Sequence, residues 1–112
     1  MRLTNRLAAI VLMAGSATAA GAELPVHTLT FKPDGTFEPA VLQVQAGRFK
    51  IVLVNGSQEA VEFESLPLRK EKVLGPGVTS FVVLTVSRPG DYPFFDDFHP
   101  AVKGTLRVRP AP

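Results

Sequence analysis

Arg48-Phe49-Lys50-Ile51-Val52-Leu53-Val54-Asn55-Gly56-Ser57-Gln58-Glu59-Ala60-Val61-Glu62-Phe63-Glu64-Ser65 is the stretch that decides the fold. Phe49, Ile51 and Leu53 recur at every second residue, the spacing that lines one face of a strand. Asn55-Gly56 is a strong turn signal, since both residues tolerate positive φ. The β pattern then resumes over Ala60–Ser65. There Val61 and Phe63 point to a core while Glu62 and Glu64 project together from the opposite face. Two strands joined by a polar turn, with no helical period in either, set the pattern for what lies on both sides.

Upstream, Val26–Phe31 is a strand that ends at the turn Lys32-Pro33-Asp34-Gly35, and Ala40–Val44 follows Pro39. Downstream, Pro67 closes Ala60–Ser65, and a short charged strand, Lys70–Leu74, ends at Gly75-Pro76-Gly77. Val78–Val86 is the longest β-branched run. Ser87-Arg88-Pro89-Gly90 leads into Asp91–Phe95, and Lys103–Arg109 is the last strand. About eight strands spaced ~8–12 residues apart predict an all-β sandwich in a single domain.

The first 22 residues read differently. Arg2 and Arg6 precede an apolar run, Leu7–Ala14, and small residues follow to Ala20-Gly21-Ala22. This is the pattern of a secretory signal, with cleavage expected after Ala22, leaving residues 23–112 as the domain. The apolar run falls well short of the ~20 residues that cross a bilayer, so no transmembrane segment is expected after signal removal. Without Arg2 and Arg6, the Lys and Arg count of 12 falls to equal the ten Asp and Glu. A neutral domain is a poor nucleic-acid binder, because phosphate neutralisation needs clustered cations. The chain has no cysteine, and both methionines, Met1 and Met13, lie in the signal. The exported domain therefore contains no sulfur, and no disulfide can supplement its small core.

Three segments carry more ligand-type side chains than a plain sandwich requires. Glu62 and Glu64 share a strand face, although ordinary solvated carboxylates would also fit there. In Phe94-Phe95-Asp96-Asp97-Phe98-His99-Pro100, two aspartates and a histidine stand among aromatic rings. Such shielding makes an unpaired charge expensive and a cation a natural partner, while a polar turn capped by aspartate is the structural alternative. Arg69-Lys70-Glu71-Lys72 reads as an edge strand guarded by charge, with Glu71 as an outlying ligand. His27 reads as a surface or partly buried histidine. Catalytic patterns are absent. There is no thiol nucleophile, no nucleophile elbow around Ser57, Ser65, Ser80 or Ser87, and no glycine-rich phosphate loop. A domain this small also offers little room for a sugar cleft between two carboxylates.

The run from Pro89 through His99-Pro100 to Lys103-Gly104-Thr105-Leu106, with the strand pattern and length, resembles a cupredoxin. That resemblance implies a Greek-key β-sandwich over essentially all of residues 23–112. In the blue copper members a tyrosine precedes a cysteine by four residues, then come a histidine, a methionine and a glycine opening the last strand. Tyr92 matches the tyrosine, Asp96 stands in place of the cysteine, His99 keeps the histidine, Val102 stands near the methionine and Gly104 matches the glycine. The upstream histidine falls at Glu62 or its neighbours Val61 and Glu64. Thiolate and thioether select and tune copper in blue sites, so this chain is not a conventional blue copper carrier.

The segments "EFES", "RKEK" and "FFDDFHP" resemble the cupredoxin-like branch of bacterial periplasmic iron-uptake systems: the EfeO-type cupredoxin domain and the cupredoxin-like partner of high-affinity iron permeases. The resemblance implies a periplasmic protein that binds iron or copper beside an inner-membrane iron permease and aids ferrous iron oxidation. The expected metal ligands are Asp96 and His99, with Glu62 and Glu64 opposite and Asp97 or Glu71 supporting. Carboxylates suit iron, and one imidazole suits iron or Cu(II). A metal-free interaction module docking to a permease or another exported protein is the alternative. A stand-alone oxidase ranks behind both, because oxygen reduction usually needs several redox centres.

Overall fold

The computed structural model describes residues 23–112, so the signal reading of residues 1–22 lies outside the described residues. Among the described residues nine strands follow in chain order: β1 Val26–Phe31, β2 Phe37–Glu38, β3 Val41–Gln45, β4 Gly47–Asn55, β5 Val61–Ser65, β6 Lys70–Leu74, β7 Thr79–Val86, β8 Gly90–Asp96 and β9 His99–Arg109. They form two sheets, a five-stranded one in the order β3-β9-β8-β5-β6 and a four-stranded one in the order β2-β1-β4-β7. No helix among the described residues is long and apolar enough to cross a membrane.

Each sheet contains one parallel pair, β1 with β4 and β9 with β3; the other pairs are antiparallel. The chain passes repeatedly between the layers, so that strands adjacent in a sheet are often distant in sequence. The all-β sandwich expected from the alternating pattern is the observed architecture. The ninth strand is β2, only two residues long and too short to leave a periodic signal. The last strand also starts earlier than expected, at His99, with an irregularity in its pairing to β8 between His99 and Lys103. That irregularity frees the segment around Pro100 to bend beside the candidate site.

The core lies between the sheets. Phe49, Ile51 and Leu53 of β4 are 0–1% exposed and meet Phe63, Phe94 and Leu106 from the facing sheet. An aromatic file, Phe31–Phe37–Phe94–Phe63, runs through it with successive ring centroids 4.9, 4.9 and 5.4 Å apart. Tilted and edge-on aromatic pairs of this kind add ~0.5–1.5 kcal/mol beyond their buried area. Gly104 lets β9 lie against this file: a Cβ there would stand 2.5 Å from two ring atoms of Phe94 and 3.1 Å from the Ala40 carbonyl oxygen.

Asn55 closes β4 by a mechanism other than the expected positive-φ turn; neither Asn55 nor Gly56 adopts positive φ. The Asn55 side chain is instead a buried hub. Its Nδ2 donates to the carbonyls of Glu59 at 2.7 Å, Gly75 at 2.9 Å and Leu74 at 3.3 Å, and its Oδ1 accepts from Ser57 N and Oγ at 3.0 and 2.7 Å. This network shapes the loop of residues 55–59 and ties it to the end of β6.

Candidate metal centre

Strand alternation divides the expected ligands between the two sides of the five-stranded sheet. On β5, Val61, Phe63 and Ser65 point inward, and Glu62 and Glu64 point outward. The pairing of Phe63 with Asp96 brings Asp96 to the inner side at the end of β8, and the next residue, Asp97, joins the outer one. The structure therefore groups Asp96 with His99 and groups Asp97 with Glu62 and Glu64. It does not gather all of them around one point.

The inner group sits at one end of the sandwich, in a cavity of about 410 Å³ lined by Val61, Asp96, His99, Val102 and Glu59 among others. His99 is held at both ring nitrogens: Nδ1 lies 2.9 Å from Asp96 Oδ2, and Nε2 lies 2.8 Å from Glu59 Oε1. Asp96, only 3% exposed, also accepts through Oδ1 from the backbone N–H groups of Glu62 and Phe98, at 2.9 and 3.0 Å. Both carboxylate oxygens are thus engaged by donors. Asp96 first and Glu59 second raise the His99 pKa above its ordinary value, because both carboxylates favour the charged ring.

Glu59 is the functional residue that the sequence reading missed. Its place is set by its own carbonyl, which accepts from Asn55 Nδ2 and from Ser57 Oγ, and by its N–H, which donates to Ser57 Oγ. A loop carboxylate four residues after a hub asparagine was the available signal, but only the tertiary fold brings it to His99, forty positions along the chain.

The outer group is anionic throughout. One oxygen from each of Glu62, Glu64 and Asp97 can be chosen so that all three lie within 4.8 Å of one another. Glu71 joins them, since it stands directly opposite Glu64 in the β5–β6 ladder. Like charges in directly opposed strand positions are unfavourable. Lys70 and Lys72, on the same strand as Glu71, pair with Ser65 and Phe63 and so project from the other side. Lys103 shares the outer face, but its ammonium donates to the Pro100 carbonyl at 3.0 Å and lies over the Phe95 ring. No ion pair among the described residues involves Glu62, Glu64, Glu71 or Asp97.

Burial sharpens this imbalance. Glu62 is 9% exposed, and the neighbouring side chain that does most to raise its pKa is another carboxyl, Glu71. Desolvation, followed by Glu71, Asp97 and Glu64, raises the Glu62 pKa; desolvation, followed by Glu71 and Asp97, raises that of Glu64. The backbone locks the two groups together, because Asp97 N–H donates to the Glu62 carbonyl at 2.9 Å while Glu62 N–H donates to Asp96. His27 is outside both groups: it packs edge-on to Phe49, with ring centroids 6.0 Å apart, and burial lowers its pKa.

A β-sandwich of this topology, with an inner histidine at the end of β8–β9, defines the class. The chain belongs to the cupredoxin-like domain family, whose pattern matches residues 5–108. It is 31% identical over 67 residues to the uncharacterized protein RP394 of Rickettsia prowazekii (strain Madrid E), covering 59% of this chain and 54% of that one. This chain thus spans about half the length of that relative. Among solved structures, it resembles a purple cupredoxin from Nitrosopumilus maritimus, with a TM-score of 0.61 and 15% identity over 74% of this chain and 99% of the other. It also resembles the metal-binding domain of the Cu(I)-exporting P-type ATPase CopA of Streptococcus pneumoniae D39, solved with Cu(I), with a TM-score of 0.68 and 16% identity over 75% of this chain and 84% of the other. At these identities the likeness is one of fold.

The donor set does not fit a blue copper ion. Of the positions aligned with blue copper ligands, Val61 and Val102 line the cavity without a donor atom, and Asp96 has both oxygens occupied. Val61, rather than Glu62 or Glu64, is the upstream neighbour that faces the cavity. The outer carboxylates fit a hard cation better. Metal–oxygen bonds of ~2.0–2.6 Å put ligand oxygens no more than ~4–5 Å apart across the ion.

Proposed function

We propose that this protein is a periplasmic metal-binding protein that assists iron uptake, handling iron, copper or both beside an inner-membrane iron permease. One observation carries the proposal: Glu62, nine-tenths buried and in no ion pair among the described residues, converges with Glu64 and Asp97. A buried charge in that state is costly unless a cation neutralises it. The expected ligands are Glu62, Glu64 and Asp97 with Glu71 beside them. Asp96 and His99 form the neighbouring group, tied to them through the Glu62 backbone. The "EFES", "RKEK" and "FFDDFHP" segments support the iron-uptake setting.

Oxygen donors favour a trivalent over a divalent ion, because Coulomb attraction grows with charge and is stronger in partly buried surroundings. Ferrous iron held by these carboxylates would therefore give up its electron more readily, with Cu(II) or oxygen as acceptor. Calorimetric titration with Fe(II), Fe(III), Cu(II), Mn(II) and Zn(II) tests binding, and a ferrous-specific chelator follows Fe(II) loss. Equal affinity for both iron states, with no faster Fe(II) loss than in buffer, would leave only a binding role. A second reading, a metal-free module docking to a permease or another exported protein, is favoured by the Glu59–His99–Asp96 chain, which fills the inner group with internal partners. Melting with and without metal separates the two, since a ligand specific to the folded state raises Tm.

A further inference from the structure

Among the described residues, the five-stranded sheet ends in β6 and β3, and the four-stranded sheet in β2 and β7. A free edge offers unpaired N–H and C=O groups to any other strand, and proteins normally blunt it with charge, proline or shortness. β6 carries Lys70, Glu71 and Lys72, and β2 is two residues long and runs into Pro39. β3 is five residues long and places two glutamines in its sequence. β7 has none of these guards. Its eight residues, Thr79-Ser80-Phe81-Val82-Val83-Leu84-Thr85-Val86, contain no charge, glycine or proline, and Phe81 is 51% exposed on it.

We propose that the β7 edge is a self-association surface, on which a second copy of this chain pairs its own β7 antiparallel across a two-fold axis at Val82. This joins the two four-stranded sheets into one continuous sheet. Setting Val82 opposite Val82 keeps both inner faces inward and places Phe81 opposite Val83 of the second copy. Within one protomer Val52 stands beside Phe81 and Lys50 beside Val83. Across the dyad, a row then reads Val52, Phe81, Val83 of the copy and Lys50 of the copy, and each Lys50 ammonium lies over the Phe81 ring of its own protomer, 4.7 Å from the centroid, so the apolar centre is bordered by cations placed on opposite sides of the dyad. The next row sets Arg48 and Thr85 against Thr79 and Val54 of the copy, and again no like charges meet. The strand is thus complementary to itself in backbone, side-chain character and charge, which is what an isologous two-fold contact needs.

The test is sedimentation velocity and light scattering on the purified protein from low micromolar to millimolar concentration, with hydrogen exchange of the β7 amides. A monomer–dimer equilibrium is expected, with Thr79–Val86 gaining protection as concentration rises. Val83→Lys places a charge in the apolar row and is expected to raise the dimer dissociation constant at least ~10-fold while circular dichroism stays that of the parent. Val41→Lys, on the β3 edge of the other sheet, is expected to leave the dimer intact. If Val83→Lys fails to fold, Thr85→Lys at the outer end of the same strand serves instead. A monomer at all concentrations, with β7 exchange independent of concentration, would overturn the proposal, as would a dimer that Val83→Lys and Thr85→Lys leave intact.

Discussion

Asp96 has the most demanding position of any side chain in the site. Its buried carboxylate accepts two backbone N–H groups and faces His99, so it organises the chain on both sides of the sheet at once. The His99 resonance is expected to titrate above the ordinary histidine value of ~6.5. Asp96→Asn should lower that midpoint more than Glu59→Gln does, because Asp96 is the larger cause. A folded-state pKa that is raised contributes stability below the unfolded pKa and loses it as pH rises through the folded one. Denaturant melts of the metal-free protein between about pH 6 and pH 8 should therefore show this contribution fading with rising pH, and His99→Ala should remove it. The same sign applies to Glu62 and Glu64, whose raised pKa values make the metal-free fold gain stability on acidification toward the carboxylate range. Glu62→Gln should accordingly cost the metal-free protein little at neutral pH while weakening cation binding ~10-fold or more by calorimetry.

Individual elements succeed or fail through single contacts. β9 approaches the aromatic file only because residue 104 has no Cβ, so Gly104→Ala should destabilise the fold by ~1–3 kcal/mol through overpacking, measured by urea melts. The loop of residues 55–59 depends on Asn55 in the same way. Asn55→Ala takes the side-chain donor from the buried Leu74 bond and the part-buried Glu59 and Gly75 bonds, at a cost of ~1–3 kcal/mol for each buried group left unsatisfied. It should also lower the His99 midpoint, because Glu59 loses the anchor that aims it at the imidazole. The β strands of this chain were legible from alternation, since Phe49, Ile51 and Leu53 have only one way to share a core face. β2 was not, because two residues define no period.

At the scale of the molecule, the sandwich has the cupredoxin-like fold without any sulfur donor among its residues. The protein mixed with Cu(II) should show only weak ligand-field absorption, because the intense blue band needs a cysteine thiolate and the chain has none. Combining Asp96→Cys with Val61→His and Val102→Met should bring an intense thiolate band, since all three positions line the cavity that holds His99. Absence of the band in a folded triple variant would show that this cavity is not the copper position of the fold.

The sequence by itself determined the sandwich, the missing sulfur and the identity of nearly every acidic or imidazole group that matters. Period-two alternation and composition are local properties and need no tertiary information. Only the tertiary structure decided how those groups are shared out. Adjacent residues in a strand point to opposite sides, so Asp96 and Asp97, or Val61 and Glu62, belong to different faces once their strands are registered. Registry depends on pairing between strands far apart in the chain, and so does the meeting of Glu59 with His99. In sequence Glu71 stands between Lys70 and Lys72. In the sheet, the same alternation turns them away and leaves the carboxylates to one another.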